Sequence, residues 1–227
     1  NAVAIDAVPS WHLSMMNDVI RNEAYFKALK LAVDDGSFVL DIGTGSGLLS
    51  LMAAANGAGK VITCETSKVI ADAAKEIIES NGYGEIVKVV NKMSTDLVVG
   101  KDLPQRADLV ISEVLSAELV GEGVQNTLLD AKKRLLKSNG TMIPQSGKII
   151  ISLVGNNPEV FDATSIDTVH GFDLSKFNLI SQTKFNLNLK GKPLFLSNPE
   201  DVFNINFYDE TDIVIEDKII KLEANQD

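Results

Sequence analysis

The chain has 227 residues, of which 45% are hydrophobic, and its formal net charge is −10 at pH 7. This length supports one or two globular domains. No apolar run is long enough to span a membrane, so we expect no membrane contact. We expect a cytoplasmic protein, or alternatively a nuclear one. The acidic balance disfavours nucleic-acid binding, which needs a basic face, and one cysteine and two histidines predict neither a disulfide nor a metal site.

The first periodic segment runs from Trp11 to Val33, where apolar residues recur at intervals of three and four and predict a helix. Polar residues and a glycine at 34–36 end this pattern ahead of the first strand. The chain begins at Asn1 rather than at a methionine, so we expect that further residues precede it.

Residues 38–50 form the segment around which the chain is organised. An apolar strand, Phe38–Leu40, is followed by Gly43, Gly45 and Gly47 and then by a helical pattern. Bare backbone and a helix N-terminus can approach a ligand closely there, because glycine has no Cβ and tolerates a positive φ. The dinucleotide fingerprint would need its third glycine at position 48, where the sequence has leucine.

Two acids indicate which ligand this turn binds. Asp41, two residues before the first glycine, would repel a pyrophosphate but suits a ligand with cationic groups. Glu65, at the end of the second predicted strand, can accept hydrogen bonds from both hydroxyls of a ribose. S-adenosylmethionine carries a sulfonium, an amino group and a ribose, so we predict a site for this methyl donor. A tight turn with a solvated acid is the alternative.

From this segment to residue 143, predicted strands and helices alternate. Ser67 is expected to begin one helix, which Asn81 and Gly82 end, and Asn139 and Gly140 are expected to end the last helix. This alternation predicts a parallel, doubly wound α/β sheet with ligands at the carboxyl ends of its strands. The later predicted strands are 61–65, 86–90, 107–111 and 141–143, and helices are expected over about 47–56, from 67, and over about 124–136.

After Pro144 the pattern changes to short strands separated by Asn, Gly, Pro and Asp. We therefore expect a boundary near residue 145 between a donor-binding domain with N-terminal helices, 1–145, and a second, antiparallel domain, 146–227. The stretch 156–176 fits no single pattern. Strands are predicted at 148–154, 185–189, 193–196, 202–207 and 213–222.

An acidic loop follows the fourth strand of the sheet. Glu113 lies at the end of that strand, and Glu122 lies nine positions later between two glycines. On a continuous helix this spacing would put the two acids on opposite faces, so we expect a loop that brings both to one mouth. Paired carboxylates there would match the forked donors of a guanidinium and polarise it towards the sulfonium. Ordinary solvated loop acids are the alternative.

These segments resemble, in order and spacing, the protein arginine methyltransferase family. Its monomethylating, type III branch is the most similar, on the acidic loop from Ser112 to Gly123 and on Asn91–Thr95. The resemblance implies a class I, Rossmann-like methyltransferase fold followed by an antiparallel β-barrel domain, of which this chain would hold only part. The segments that carry it are Met15–Asn22, Val39–Ser50, Ile62–Glu65, Ile86–Leu97, Ile111–Gly123 and 170–174.

The resemblance also implies roles for side chains that spacing alone does not assign. Arg21 would bind the carboxylate of the donor, and Met93 and Ser94 would border its adenine. Met15 and Met16 would lie against the reacting centre, and the alternative for these two residues is core packing. Glu113 and Glu122 would hold arginines of protein substrates. The stretch 156–184 would supply a dimerisation arm, so we expect a homodimer.

Two departures from the family pattern stand out. His12 takes the place of an aromatic hydroxyl residue. The family's Thr-His-Trp loop has no counterpart before Asp227, so we expect either a truncated chain or a shortened relative of the family. Two other functions remain open: methylation of a small molecule or nucleic acid, for which we find neither an aromatic-Pro-Pro motif nor a basic face, and a non-catalytic scaffold.

Overall fold

The computed structural model describes residues 8, 11–115, 119, 123–155, 158–182, 185, 194–208 and 219–224. The chain divides into two compact units, Asn1–Gly147 with Ile205–Val214 and Lys148–Asn204 with Ile215–Asp227. In the described part of the chain, no helix combines the length and the apolar character needed to cross a membrane.

The first unit contains a five-stranded sheet in the order β3-β2-β1-β4-β5. Neighbouring strands are parallel throughout, which confirms the predicted doubly wound α/β sheet. Every residue of the central strand is buried, as expected for a strand with neighbours on both sides. The strands are β1 (Phe38–Ile42), β2 (Lys60–Cys64), β3 (Val87–Val90), β4 (Ala107–Ser112) and β5 (Leu136–Ile143).

Helices cover both faces of this sheet. Because successive side chains of a strand point to opposite faces, Val39 packs in a cluster with α2, α3 and α4, whereas Leu40 packs in a second cluster with α5. The helices are α1 (Trp11–Met16), α2 (Val19–Ala32), α3 (Leu48–Ala55), α4 (Lys68–Ser80) and α5 (Val124–Arg134), and a short 3-10 turn, Ser94–Asp96, lies after β3.

Capping side chains determine where two of the predicted helices begin, whereas the predicted helix end at Gly140 is wrong. Ser67 caps α4 as expected. The single helix predicted from Trp11 to Val33 is instead two helices, because the Asp18 carboxylate accepts a hydrogen bond from the Arg21 amide (3.0 Å) and starts a new helix. Gly140 does not end α5 but lies inside β5, where an added Cβ would be 3.0 Å from the Asp108 carbonyl oxygen.

Shorter elements come after β5. The strands β6 and β9 pair in one two-stranded sheet, and β7 and β8 form an antiparallel pair inside the stretch that fitted no pattern. The predicted strand 185–189 lies outside the described residues except for residue 185, and so does most of the predicted strand 213–222. The described residues 219–222 form no strand, and Ile219 is fully exposed. The elements are β6 (Ser146–Ile151), α6 (Pro158–Thr164), β7 (Thr168–Val169), β8 (Phe172–Asp173), a 3-10 turn (Ser175–Ile180) and β9 (Glu200–Asn206).

Candidate active site at the carboxyl edge of the parallel sheet

The register of the sheet brings three predicted site segments to one edge. Ile42, the last residue of β1, pairs with both Cys64 of β2 and Ser112 of β4. The glycine turn, Glu65 and Glu113 each come directly after one of these three residues. They therefore lie beside one another at the carboxyl edge, although up to 70 residues separate them in the sequence.

Each glycine of the turn has a separate structural reason. All three have positive φ angles, of +87° at Gly43, +51° at Gly45 and +83° at Gly47. An added Cβ at Gly43 would lie 2.8 Å from Val114 Cγ1, and one at Gly47 would lie 3.1 Å from Ile78 Cδ1, so these two glycines permit close packing. A Cβ at Gly45 would meet no described atom within 4 Å. Gly45 therefore presents accessible backbone, as the predicted ligand site requires.

Glu65 is fixed beside this open backbone. Its Oε1 accepts a hydrogen bond from the Ser67 amide (2.9 Å), and its Oε2 accepts one from the Gly45 amide (3.3 Å). The Asn91 side-chain amide donates to the main-chain oxygens of Glu65 (2.7 Å) and Thr66 (2.9 Å), which ties the end of β2 to the segment after β3. The carboxylate is thus held at the glycine turn, and its contact with a ribose stays a prediction.

Asp41 lies underneath the glycine turn. It is fully buried, and its Oδ2 accepts hydrogen bonds from Ser50 Oγ (2.6 Å) on α3 and Thr63 Oγ1 (3.1 Å) on β2. Its Oδ1 has no hydrogen-bond partner among the described residues. Burial raises the pKa of Asp41 to about 7 despite these two hydroxyl donors. Asp41 therefore links β1 to β2 and α3, and its predicted contact with the donor stays a prediction.

Arg21 and Glu113, predicted to bind different ligands, form one ion pair. Arg21 Nη2 donates to Glu113 Oε2 at 2.7 Å, and their side chains are only 19% and 17% exposed. Arg21 Nη1 also donates to Asn22 Oδ1 (2.9 Å). No local signal in the sequence predicts this contact, because 92 positions separate the two residues.

Tyr25 is a site residue that the sequence analysis missed. The Arg21 guanidinium lies 5.3 Å from the centre of its ring, and its hydroxyl donates to the Ser112 carbonyl oxygen at 3.2 Å. Burial, reinforced by the charge of Glu113, raises the pKa of Tyr25 above its usual value, so its hydroxyl stays protonated. Its position one helical turn after Arg21 was the available signal, because residues four apart share a helix face.

The remaining predicted residues divide into those that the structure describes and one that it does not. Met15 and Met16 are half-buried at the end of α1, and the Met16 carbonyl accepts a hydrogen bond from the Asn22 side chain (2.8 Å). Met93 is 53% exposed just before the 3-10 turn, and Ser94 is buried within it. Glu122 lies outside the described residues, so its pairing with Glu113 stays a prediction. Across the described ranges, His, Cys, Asp and Glu form no group of three that could hold a metal ion.

Comparisons with known proteins identify methyltransferases. A family model described as "Ribosomal protein L11 methyltransferase (PrmA)" matches residues 23–157. The chain is 38% identical over 174 residues to the arginine N(omega)-methyltransferase of Streptomyces achromogenes subsp. streptozoticus, which covers 77% of this chain and 48% of that protein. It is also 38% identical over 153 residues to protein arginine N-methyltransferase 7 of Gallus gallus, covering 64% of this chain and 22% of that protein.

A solved structure gives the same result for the fold. The PRMT1 enzyme–prozyme heterotetrameric complex of Trypanosoma brucei with AdoHcy aligns with a TM-score of 0.71 at 24% identity, over 89% of this chain and 63% of that chain. The chain spans about half the length of the Streptomyces relative and about a fifth of the Gallus gallus relative. A large part of each of these two relatives therefore has no counterpart in the aligned residues.

Proposed function

Because the chain belongs to the protein arginine methyltransferase family and carries the methyltransferase fold matched over residues 23–157, we propose that it transfers a methyl group from S-adenosylmethionine to arginine side chains of protein substrates. The observation that carries this proposal is the Arg21–Glu113 ion pair beside the glycine turn. It joins the residue assigned to the donor directly to the residue assigned to the acceptor.

Four described residues support binding of the donor. The Gly45 backbone is accessible, and the Glu65 carboxylate beside it is suited to accept hydrogen bonds from two ribose hydroxyls. Arg21 supplies a cation for the donor's carboxylate, and Ser94 lies in the turn assigned to the adenine. When bound, S-adenosylmethionine supplies an electrophilic methyl group on a sulfonium.

The chemical task of Glu113 is to orient and polarise the acceptor. An arginine side chain arrives protonated, with its lone-pair density delocalised over the guanidinium, so it is a weak nucleophile. Arg21 binds Oε2 of Glu113, and we assign Oε1 of the same carboxylate to the substrate. Hydrogen bonding to Glu113, and to Glu122 if the acidic loop folds back as predicted, concentrates electron density on the nitrogen that faces the sulfonium. That nitrogen forms the N–C bond as the C–S bond breaks, and it releases one proton to solvent.

The test of this function is methylation of paired peptides. An arginine-rich peptide and its lysine counterpart, with the same charge and length, are incubated separately with the chain and S-adenosylmethionine. We expect methylation of the arginine peptide alone, with monomethylarginine as the product because the acidic loop and Asn91–Thr95 resemble the type III branch. Equal methylation of lysine would refute the assignment to guanidinium.

We also propose that the protein forms a homodimer through residues 158–182, and that it acts in the cytoplasm or nucleus. Seven large apolar side chains of this short segment are exposed, and exposed apolar surface on this scale is typical of an interface. Substituting Phe177 and Leu179 with serine should convert a dimer to a monomer in sedimentation experiments, and a wild-type monomer at high concentration would refute the dimer. The exposed side chains are Phe161, Val169, Phe172, Leu174, Phe177, Leu179 and Ile180.

A further inference from the structure

The last residue of α5, Arg134, binds the turn that comes after β3. Its Nη1 donates to the Leu97 carbonyl oxygen at 2.9 Å, and its Nη2 donates to the carbonyl oxygens of Thr95 (3.1 Å) and Ser94 (3.3 Å). The guanidinium is held in place by the carboxylate of Asp130, one helical turn earlier, which accepts hydrogen bonds from Nε and Nη2. One side chain thus contacts three carbonyl groups that lie 37 to 40 positions away in the sequence.

The turn depends on this contact, because it has few hydrogen bonds of its own. Ser94–Asp96 is a single 3-10 turn, closed by the Asp96 amide on the Met93 carbonyl (3.1 Å) and the Leu97 amide on the Ser94 carbonyl (3.2 Å). Three-residue 3-10 turns have poor hydrogen-bond geometry and are rarely stable alone. A cation at the carbonyl end of a helical turn is stabilising, and an arginine can satisfy several carbonyls at once.

Because residues of the turn are buried, a change in the position of the Arg134 guanidinium would also shift the segment beside the donor site. Leu97 is fully buried in the core, and Ser94 is only 7% exposed, so neither can move without disturbing its neighbours. Met93 immediately precedes the turn and is exposed at the surface. The guanidinium therefore fixes the segment that the proposed function assigns to the adenine.

We propose that Arg134 is a positioning residue for the nucleobase of the methyl donor, and that it sets the preference for adenine through the Ser94–Leu97 carbonyl groups. This inference rests on the proposed donor site, since Arg134 acts on the base only through Met93 and Ser94. The Asp130–Arg134 pair alone would be an ordinary surface pair of the i,i+4 type, which contributes little to stability. Arg134 acts as a positioning residue through its hydrogen bonds to the three carbonyl groups of the turn.

The experiment measures base preference rather than stability. Wild-type chain, Arg134→Gln and Arg134→Lys are titrated calorimetrically with S-adenosylhomocysteine and with S-inosylhomocysteine, which differ only in the base. Arg106→Gln is the matched control, because Arg106 donates to the carbonyl of Leu136 (3.3 Å), two residues after Arg134, and has no described hydrogen bond to the Ser94–Leu97 turn. Circular dichroism confirms that each variant is folded, and if Arg134→Gln is not, Arg134→Lys carries the test.

We expect the wild type to prefer the adenine compound by about tenfold, the scale of one or two well-placed hydrogen bonds. Arg134→Gln should reduce this preference to less than about threefold, Arg134→Lys should give an intermediate value, and Arg106→Gln should keep the wild-type value. An unchanged ratio of the two affinities in Arg134→Gln, whether both affinities stay the same or both fall equally, would overturn the inference but leave the donor site intact. Failure of the wild type to bind either compound would instead overturn the proposed function itself.

Discussion

Replacing Glu113 with glutamine removes one charge and leaves the size of the side chain almost unchanged. The structure predicts two separate losses, because one carboxylate faces both the assigned substrate and Arg21. The acceptor loses a charged partner in the transition state, which typically costs about 3–4 kcal/mol, or a few hundredfold in kcat/KM. Arg21 loses its partner at 2.7 Å, so the donor should also bind less tightly.

The second loss can be estimated from the burial of the ion pair. Breaking a fully buried pair costs about 3–5 kcal/mol, whereas an exposed pair contributes less than about 1 kcal/mol. Because the two side chains are 19% and 17% exposed, we expect an intermediate cost of about 2 kcal/mol. Part of this cost falls on donor binding, so affinity for S-adenosylhomocysteine should fall by about fivefold to tenfold.

The assay combines steady-state kinetics on an arginine peptide with calorimetric titration of S-adenosylhomocysteine. The control is Glu76→Gln, the same change at an exposed acid on α4, which should leave both measurements within twofold (roughly) of the wild type. Turnover within threefold (roughly) of wild type in Glu113→Gln would refute the catalytic role. Slow turnover with unchanged donor affinity would refute the functional link between Glu113 and Arg21.

Three further predictions concern residues beneath and beside this site. Gly45→Ala should weaken S-adenosylhomocysteine binding in a calorimetric titration by roughly tenfold or more, because alanine disfavours the +51° φ angle and its Cβ points into the open space; unchanged affinity would exclude this backbone from the site. Asp41 binds its proton more tightly in the folded than in the unfolded chain, so the free energy of unfolding measured in urea should fall by a few kcal/mol (on the order of 2–4) between pH 4 and pH 8. The Asp41→Asn variant should lack this decrease, and an equal decrease in both proteins would contradict the role of Asp41. Asp18→Ala should lower the free energy of unfolding by about 1 kcal/mol through the lost helix cap, whereas Asp35→Ala, in the exposed turn after α2, should change it little.

Local patterns are sufficient to predict the framework of the site. The strand–glycine–helix pattern at 38–50 identifies the turn, and parallel strands necessarily bring Glu65 and Glu113 to one edge. Ser67 and Asn81 are recognisable as caps because capping depends on neighbouring residues alone. The break at Asp18 carries the same kind of signal, but the continuous apolar spacing around it favours a single helix.

The contacts that make the site specific could not be predicted from local patterns. Arg21 has the spacing of an ordinary helix-surface arginine, and its pairing with Glu113 depends on how α2 packs beside β4. Arg134 is equally inconspicuous among the basic residues at the end of α5, and its role depends on the three carbonyls around it. Asp41 was assigned by its charge, whereas its burial is a property of the assembled sheet.

A crystal structure of the chain with S-adenosylhomocysteine tests the central claim most directly. We expect ribose hydroxyls within hydrogen-bond distance of Glu65, the amino-acid carboxylate on Arg21, and the adenine against Ser94. We also expect that Glu113 keeps its contact with Arg21 and faces the position of the departing methyl group. Binding of S-adenosylhomocysteine away from the glycine turn, or with its sulfur remote from Glu113, would contradict the proposed site.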